Sequence, residues 1–186
     1  MQIILNEDTR RSVVEKAVSV LKKGGIVVYP SDTVYGIAVD ATNGSAIQEL
    51  SNLKKRRPDQ KYSYNFSDVG MVDAFCNLDK KKLDILKKYL PGSYTFIIDE
   101  GTSVRIPEGT IITEVVKGFG KPVTATSANV TGKLPATSIK NLDAKIYLAA
   151  DLIIEDPNFE PKQPSTIVDI SANPPKVVRA GELPYP

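Results

Sequence analysis

Histidine and tryptophan are absent from the 186 residues, and cysteine occurs once. Without imidazole there is no Ser-His-Asp or Cys-His couple, and no side chain that titrates near neutrality without perturbation. A zinc centre would have to be built from one thiol and carboxylates, so no resident metal site is expected. Cys76 has no internal partner, which fits a reducing compartment. No apolar run approaches the length of a membrane span. The opening MQIILNEDTRRS meets charge too early to form a signal-peptide core. A soluble, cytoplasmic protein is expected. Charge of one sign is also missing: 24 Lys plus Arg stand against 22 Asp plus Glu, a net +2. Non-specific nucleic-acid binding would therefore need a local patch. Catalysis must rest on lysine, arginine, hydroxyls, carboxylates, backbone amides or a cation brought by the substrate.

What is present is ordinary globular composition, 41% hydrophobic and 25% charged, enough for one domain over residues 1–186 with a sizeable core. Residues 8–23 predict an amphipathic helix capped by Asp8 or Thr9, with Val13, Val14, Ala17, Val20 and Leu21 on one stripe. Ile26–Tyr29 reads as a strand buried on both faces and closed by Pro30. A polar loop, Ser31–Gly36, precedes a second apolar stretch at Ile37–Val39. Ser45–Leu53 predicts a short helix running into a cationic segment, and Pro58 starts a turn. Further strands are expected at 62–66, 94–99, 104–106, 122–126, 152–155, 166–170 and 177–179, with helices at 78–90 and 110–118. Strands outnumber helices and are short. The pattern points to a single α/β domain with a mixed sheet.

Four polar clusters fall at strand ends or turns, where side chains converge on a cleft. Ser31-Asp32-Thr33-Val34-Tyr35-Gly36 offers hydroxyls to a small polar substrate, or is simply a turn between two strands. Lys54 to Lys61 holds five cations in eight positions. They can grip a polyphosphate, form a solvated face, offset a helix C-terminus or bind RNA. Thr124–Asn129 suits a phosphate or base, or a capping turn. Pro164–Asp169, with Arg179 and Gly181 downstream, brings a hydroxyl pair and an arginine to neighbouring strands. No Walker loop or dinucleotide fingerprint is present.

Taken in order, YPSDTVYG, K-x-R as Lys55 and Arg57, SAN as Ser127–Asn129, PSTIVD, and R-x-G as Arg179–Gly181 resemble the YrdC-type threonylcarbamoyl-adenylate synthases. The resemblance covers about residues 10–183. It implies a twisted mixed sheet with flanking helices around a concave basic cleft. It implies formation of threonylcarbamoyl-AMP and pyrophosphate from L-threonine, bicarbonate and ATP, with magnesium, for tRNA threonylcarbamoyladenosine. Lys55 and Arg57 would be catalytic; with Lys61, Asn129, Thr137 and Arg179 they would hold ATP. Thr33, Tyr35, Arg105, Ser127 and Ser165 would frame the threonine. Thr137 as a helix cap and Tyr35 as packing are the alternatives on residue type alone. A downstream tRNA threonylcarbamoyl transferase complex is the implied transient partner, with RNA binding in the cleft and no membrane. Where many members carry proline and histidine, this chain has Tyr62 and Phe66, which predicts an altered acceptor pocket. KYSYNFSD and PGSYTFIID lean toward the YciO-like branch, whose members often lack K-x-R and SAN; a YciO-like paralogue that binds nucleotide or RNA without synthase activity is the alternative. Longer members of the family carry a further C-terminal domain, which is not expected after Pro186.

Overall fold

A computed structural model describes residues 1–186. In chain order the elements are β1 (Gln2–Ile4), α1 (Arg10–Lys22), β2 (Val27–Pro30), β3 (Tyr35–Ala38), α2 (Gly44–Lys54), β4 (Ser63–Asn65), α3 (Val69–Cys76), α4 (Lys80–Tyr89) and β5 (Tyr94–Ile97). They continue as β6 (Ser103–Arg105), α5 (Ile111–Phe119), β7 (Val123–Ser127), a 3-10 turn (Ile139–Asn141), α6 (Ala144–Ala149), β8 (Leu152–Glu155), β9 (Thr166–Asp169) and β10 (Lys176–Arg179). The strands form one mixed sheet in the order β1-β8-β2-β3-β7-β4-β6-β5-β9-β10. No helix is long and apolar enough to cross a membrane.

The sheet has two halves that share β7. The C-terminal part of β7 pairs antiparallel with β3, Ser127 opposite Gly36 and Thr126 opposite Ile37. Its N-terminal part pairs with β4, from Val123 opposite Asn65 to Ala125 opposite Ser63. In the first half, β2 is buried along its whole length, as its unbroken apolar run requires. One face carries α1 and α5, with Val13, Ala17 and Leu21 packed beside Ile112, Val115 and Val116. The other carries α2 and α6 through Ala46, Leu50 and Ile146. Each Val, Leu or Ile side chain among them contributes about 1.5–3 kcal/mol when taken out of water.

The second half follows strict period-two alternation. Tyr64, Phe96, Val104 and Val168 turn to a core under α3 and α4. Their neighbours Ser63, Thr95, Arg105 and Ile167 turn to the opposite face, where they line a cavity. Polar residues thus reach the site because the strand pleat leaves them no other face.

The structure corrects several local expectations. Pro30 lies inside β2, opposite Tyr35, so the strand pair extends further toward the loop. Thr9 sits at the N-cap of α1, but its hydroxyl donates to the Ile4 carbonyl instead of capping. The helix α3 was unforeseen; Asp68 caps it by accepting from the Met71 amide at 2.8 Å. The elements β1, α6 and the 3-10 turn were also not anticipated.

Candidate functional site

The cavity on the open face of the second half-sheet has a volume of about 270 Å³. Thr33, Tyr35, Arg105, Ser127, Ser165 and Arg179 all line it, although they come from five separate parts of the chain. A second cavity of about 360 Å³ adjoins it, sharing Thr126 and Ser127, and is lined by Lys54, Arg56, Lys61 and Asn129 among nine residues. No carboxylate lines either cavity.

Arg105 leaves the end of β6 and meets Asp32, its Nη2 lying 2.8 Å from both carboxylate oxygens. The pair is largely buried, with side-chain exposures of 14% and 11%. Its Nε–H has no partner. Arg179, at the end of β10, donates from Nη2 to the Ser165 carbonyl at 2.7 Å. Burial, and then the charge of Arg105, push the Arg179 guanidinium below its ordinary range. Arg105 is paired with Asp32, whereas Arg179 has no carboxylate partner.

The loop after β2 is held by its own hydroxyls. Ser31 Oγ donates to the Val34 carbonyl at 2.6 Å and accepts from the Thr33 amide at 3.1 Å. Thr33 lies 5% exposed at the cavity wall. The Tyr35 ring also lines that wall, while its hydroxyl accepts from the Asp156 amide at 3.2 Å and its ring meets Phe159 edge-on at 4.8 Å. Ser165 Oγ pairs with Thr95 Oγ1 at 2.8 Å.

In the second cavity the SAN turn and the end of α2 are tied together. Ser127 Oγ donates to Asn129 Oδ1, and Asn129 Nδ2 donates to the Lys133 carbonyl at 2.6 Å. The Lys54 ammonium reaches across to the carbonyls of Ser127 and of Asn129, the latter at 2.6 Å, while the Lys54 carbonyl accepts from the Thr131 amide at 2.8 Å. Lys54 is 2% exposed and has no carboxylate partner. Burial, with Arg56 adding its repulsion, lowers its pKa to about 7. Arg56 donates from Nε to the Gln60 carbonyl at 3.1 Å, and its guanidinium sits 4.2 Å from the centroid of the Tyr62 ring. That ring is a platform for the cation.

Lys55 and Arg57 lie on the same loop but outside both cavities. Lys55 is the exposed C-cap of α2 in the left-handed region, φ 52°, and Arg57 pairs with Asp59 at 3.4 Å on the surface. The cations facing inward are one position earlier, Lys54 and Arg56, and these also read K-x-R. Thr137 lines neither cavity; its hydroxyl accepts from Asn141 Nδ2 at 2.8 Å in the 3-10 turn.

Phe66 corrects the expectation of an altered acceptor pocket at that position. It is fully buried among Val72, Leu86, Phe96 and Val104, on the core face of the sheet. Tyr62 is buried beneath Arg56, its hydroxyl 3.2 Å from Ser51 Oγ. Lys54, Arg56 and Asp32 are the site features that motif reading passed over. For Lys54 the missed signal is the helix phase, which turns position 54 inward with Leu50.

A family model named Sua5/YciO/YrdC, with the description "Telomere recombination", matches residues 19–181. A Methanocaldococcus jannaschii protein provisionally named threonylcarbamoyl-AMP synthase is 29% identical over 97% of this chain and 91% of its own length. The Pyrococcus abyssi Sua5 crystal structure, described as complexed with L-threonine, superposes with a TM-score of 0.86 at 22% identity, covering 99% of this chain. This chain spans 58% of that Sua5 chain. The Escherichia coli YciO structure gives a TM-score of 0.82 at 22% identity, covering 97% of this chain and 94% of YciO.

Proposed function

Since the chain belongs to the Sua5/YciO/YrdC family, we propose that it is a threonylcarbamoyl-AMP synthase. L-threonine, bicarbonate and ATP would give threonylcarbamoyl-AMP, pyrophosphate and water. The observation that carries the reading is the pair of adjoining cavities, with Arg105 and Arg179 in one, Lys54, Arg56 and Lys61 in the other, and Ser127 between them. A small acid belongs in the first, where Arg105 meets its carboxylate. A polyphosphate belongs in the second, where three cations and the SAN turn face it. Relatives named as synthases, and a Sua5 neighbour described with L-threonine, support the same assignment.

The chemistry suits a site without histidine. Threonine's amine and carbon dioxide form a carbamate without a strong base, and the carbamate oxygen then attacks the α-phosphate. Such a transfer rests on positioning and on neutralising charge. Lys54, Arg56 and Lys61 stabilise the departing pyrophosphate, and Asn129 and Arg179 orient the nucleotide. Lys55 and Arg57 join the phosphates when the loop 55–61 folds over them. Magnesium enters as part of the ATP substrate. The labile product passes to a tRNA threonylcarbamoyl transferase. The YciO-like reading is not favoured, because Phe66 and Tyr62, which argued for it, line neither cavity.

The test is pyrophosphate release from ATP, magnesium and bicarbonate, with and without L-threonine. Strong stimulation by threonine is expected, with Arg105→Ala or Asn129→Ala reducing it at least a hundredfold in folded protein. Absence of stimulation in protein that still binds ATP would sink the synthase reading.

A further inference from the structure

The cavity floor contains a hydroxyl that none of the sequence motifs assigns. Tyr29, the penultimate residue of β2, lines the first cavity although it is only 2% exposed. It lies across Gly36, its antiparallel partner on β3. A Cβ on Gly36 would stand 2.5 Å from Tyr29 Cζ and 2.7 Å from its hydroxyl oxygen. Only glycine leaves the ring that path. From β4, Asn65 donates its amide to the Tyr29 oxygen at 2.8 Å. Asn65 is 1% exposed and is the register partner of Arg105 on β6.

With Asn65 Nδ2 donating to its oxygen, the Tyr29 O–H is left to donate elsewhere and makes no other hydrogen bond within the protein, while Asn65 Oδ1 is buried without a partner. The open side is the cavity. Arg105 is near enough for its charge to act on the phenol, and the Nη2 of Arg105 is committed to Asp32. Burial pushes the Tyr29 hydroxyl up to about 12, so it stays a donor throughout the working range.

We propose that Tyr29 is a specificity-determining residue that donates its hydroxyl to the carboxylate of the amino-acid substrate beside Arg105, with Asn65 and Gly36 positioning it. This rests on the synthase reading and adds the second donor of its carboxylate clamp. A carboxylate accepts more than one hydrogen bond, and Arg105 alone, held on one edge by Asp32, does not fill it. A hydrogen bond to a charged group is strong enough that its loss changes affinity at least tenfold.

The experiment titrates L-threonine and L-threoninol, which lacks the carboxylate, against wild type, Tyr29→Phe and Asn65→Leu by calorimetry. ATP binding and the unfolding midpoint are followed in parallel. Tyr29→Phe keeps the ring and should weaken L-threonine about tenfold or more, leaving ATP and the weaker L-threoninol unchanged. Asn65→Leu should weaken L-threonine about threefold to fivefold with the same indifference to L-threoninol. Wild-type protein that binds threonine, with Tyr29→Phe binding it equally well, overturns the role of Tyr29 alone. The same holds if Tyr29→Phe weakens threonine and threoninol by equal factors. Wild type that binds neither threonine nor releases pyrophosphate in its presence overturns the synthase reading and this inference with it.

Discussion

At the scale of single residues, Lys54 is the side chain whose chemistry is most at odds with its surroundings. An ammonium 2% exposed, beside Arg56 and without a carboxylate, is held only by the Ser127 and Asn129 carbonyls. Its pKa is lowered to about 7, below the ordinary lysine value, so the folded protein binds fewer protons than the unfolded chain above that pH. The sign follows: this group opposes folding fully below about pH 7, and its cost is relieved as pH rises toward the unfolded lysine value. A bound polyphosphate reverses the preference by favouring the ammonium. ATP binding at pH 8 should therefore take up close to one proton, seen as a dependence of the calorimetric enthalpy on buffer ionisation. Lys54→Met should abolish the uptake, lower ATP affinity at least tenfold and leave the fold intact. Equal proton uptake in wild type and variant would remove Lys54 from the phosphate site. The sequence displayed the cations without their direction. Five basic residues in eight leave the register of K-x-R ambiguous, and only the end of α2 at Lys54 decides which two point inward. Phe66 shows the same limit on a strand, where a shift of one residue exchanges core for cavity.

At the scale of elements, the site depends on loops folded back onto strands. The R-x-G turn is one: Gly181 donates its amide to Thr166 Oγ1 at 3.1 Å, and Glu182 donates its own to the Pro164 carbonyl at 3.0 Å. A Cβ at Gly181 would lie 2.2 Å from the Pro164 oxygen, a backbone atom that cannot swing aside. Gly181→Ala should therefore lift this turn off the segment carrying Ser165 and take Arg179 with it. A loss of about 1–3 kcal/mol in unfolding free energy, read from the shift of the urea midpoint, is expected from such overpacking. Threonine affinity should fall more steeply than stability. An unchanged midpoint would show that the turn yields without cost. Elements with strong periodicity or unbroken apolar runs were legible, among them α1, α5, β2 and β5. Short ones were not: β1 has three residues, and α3 and α6 have eight and six, too few for a repeating stripe. The Asp68 cap was the one readable sign of α3, concealed by an apolar run that fits strand or helix equally.

At the scale of the whole molecule, the cavity bridges the two halves of the sheet. Tyr29, Tyr35 and Gly36 come from the first half, while Thr95, Arg105 and Arg179 come from the second, and β7 is the strand both halves share. This convergence was legible only as a list of motifs, because their meeting depends on strand order, which local pattern does not encode. In a chain with a net charge of only +2, the site gathers arginines and lysines at one place and sets Arg105 against Arg179. A ligand anion relieves that repulsion. Binding at a hundred times the dissociation constant stabilises a folded protein by about 2.7 kcal/mol. For a domain of this size that is a rise in Tm of about 5–11 °C. Pyrophosphate should raise Tm well beyond sodium chloride of equal ionic strength, since a general salt effect cannot bridge Lys54, Arg56 and Lys61. Arg179→Met removes one side of the repulsion, so its ligand-free Tm should equal or exceed that of wild type, while the response to L-threonine with ATP is largely lost. If Arg179→Met instead lowers the ligand-free Tm and keeps the full ligand response, Arg179 holds the second half-sheet together structurally and the anion is bound without it.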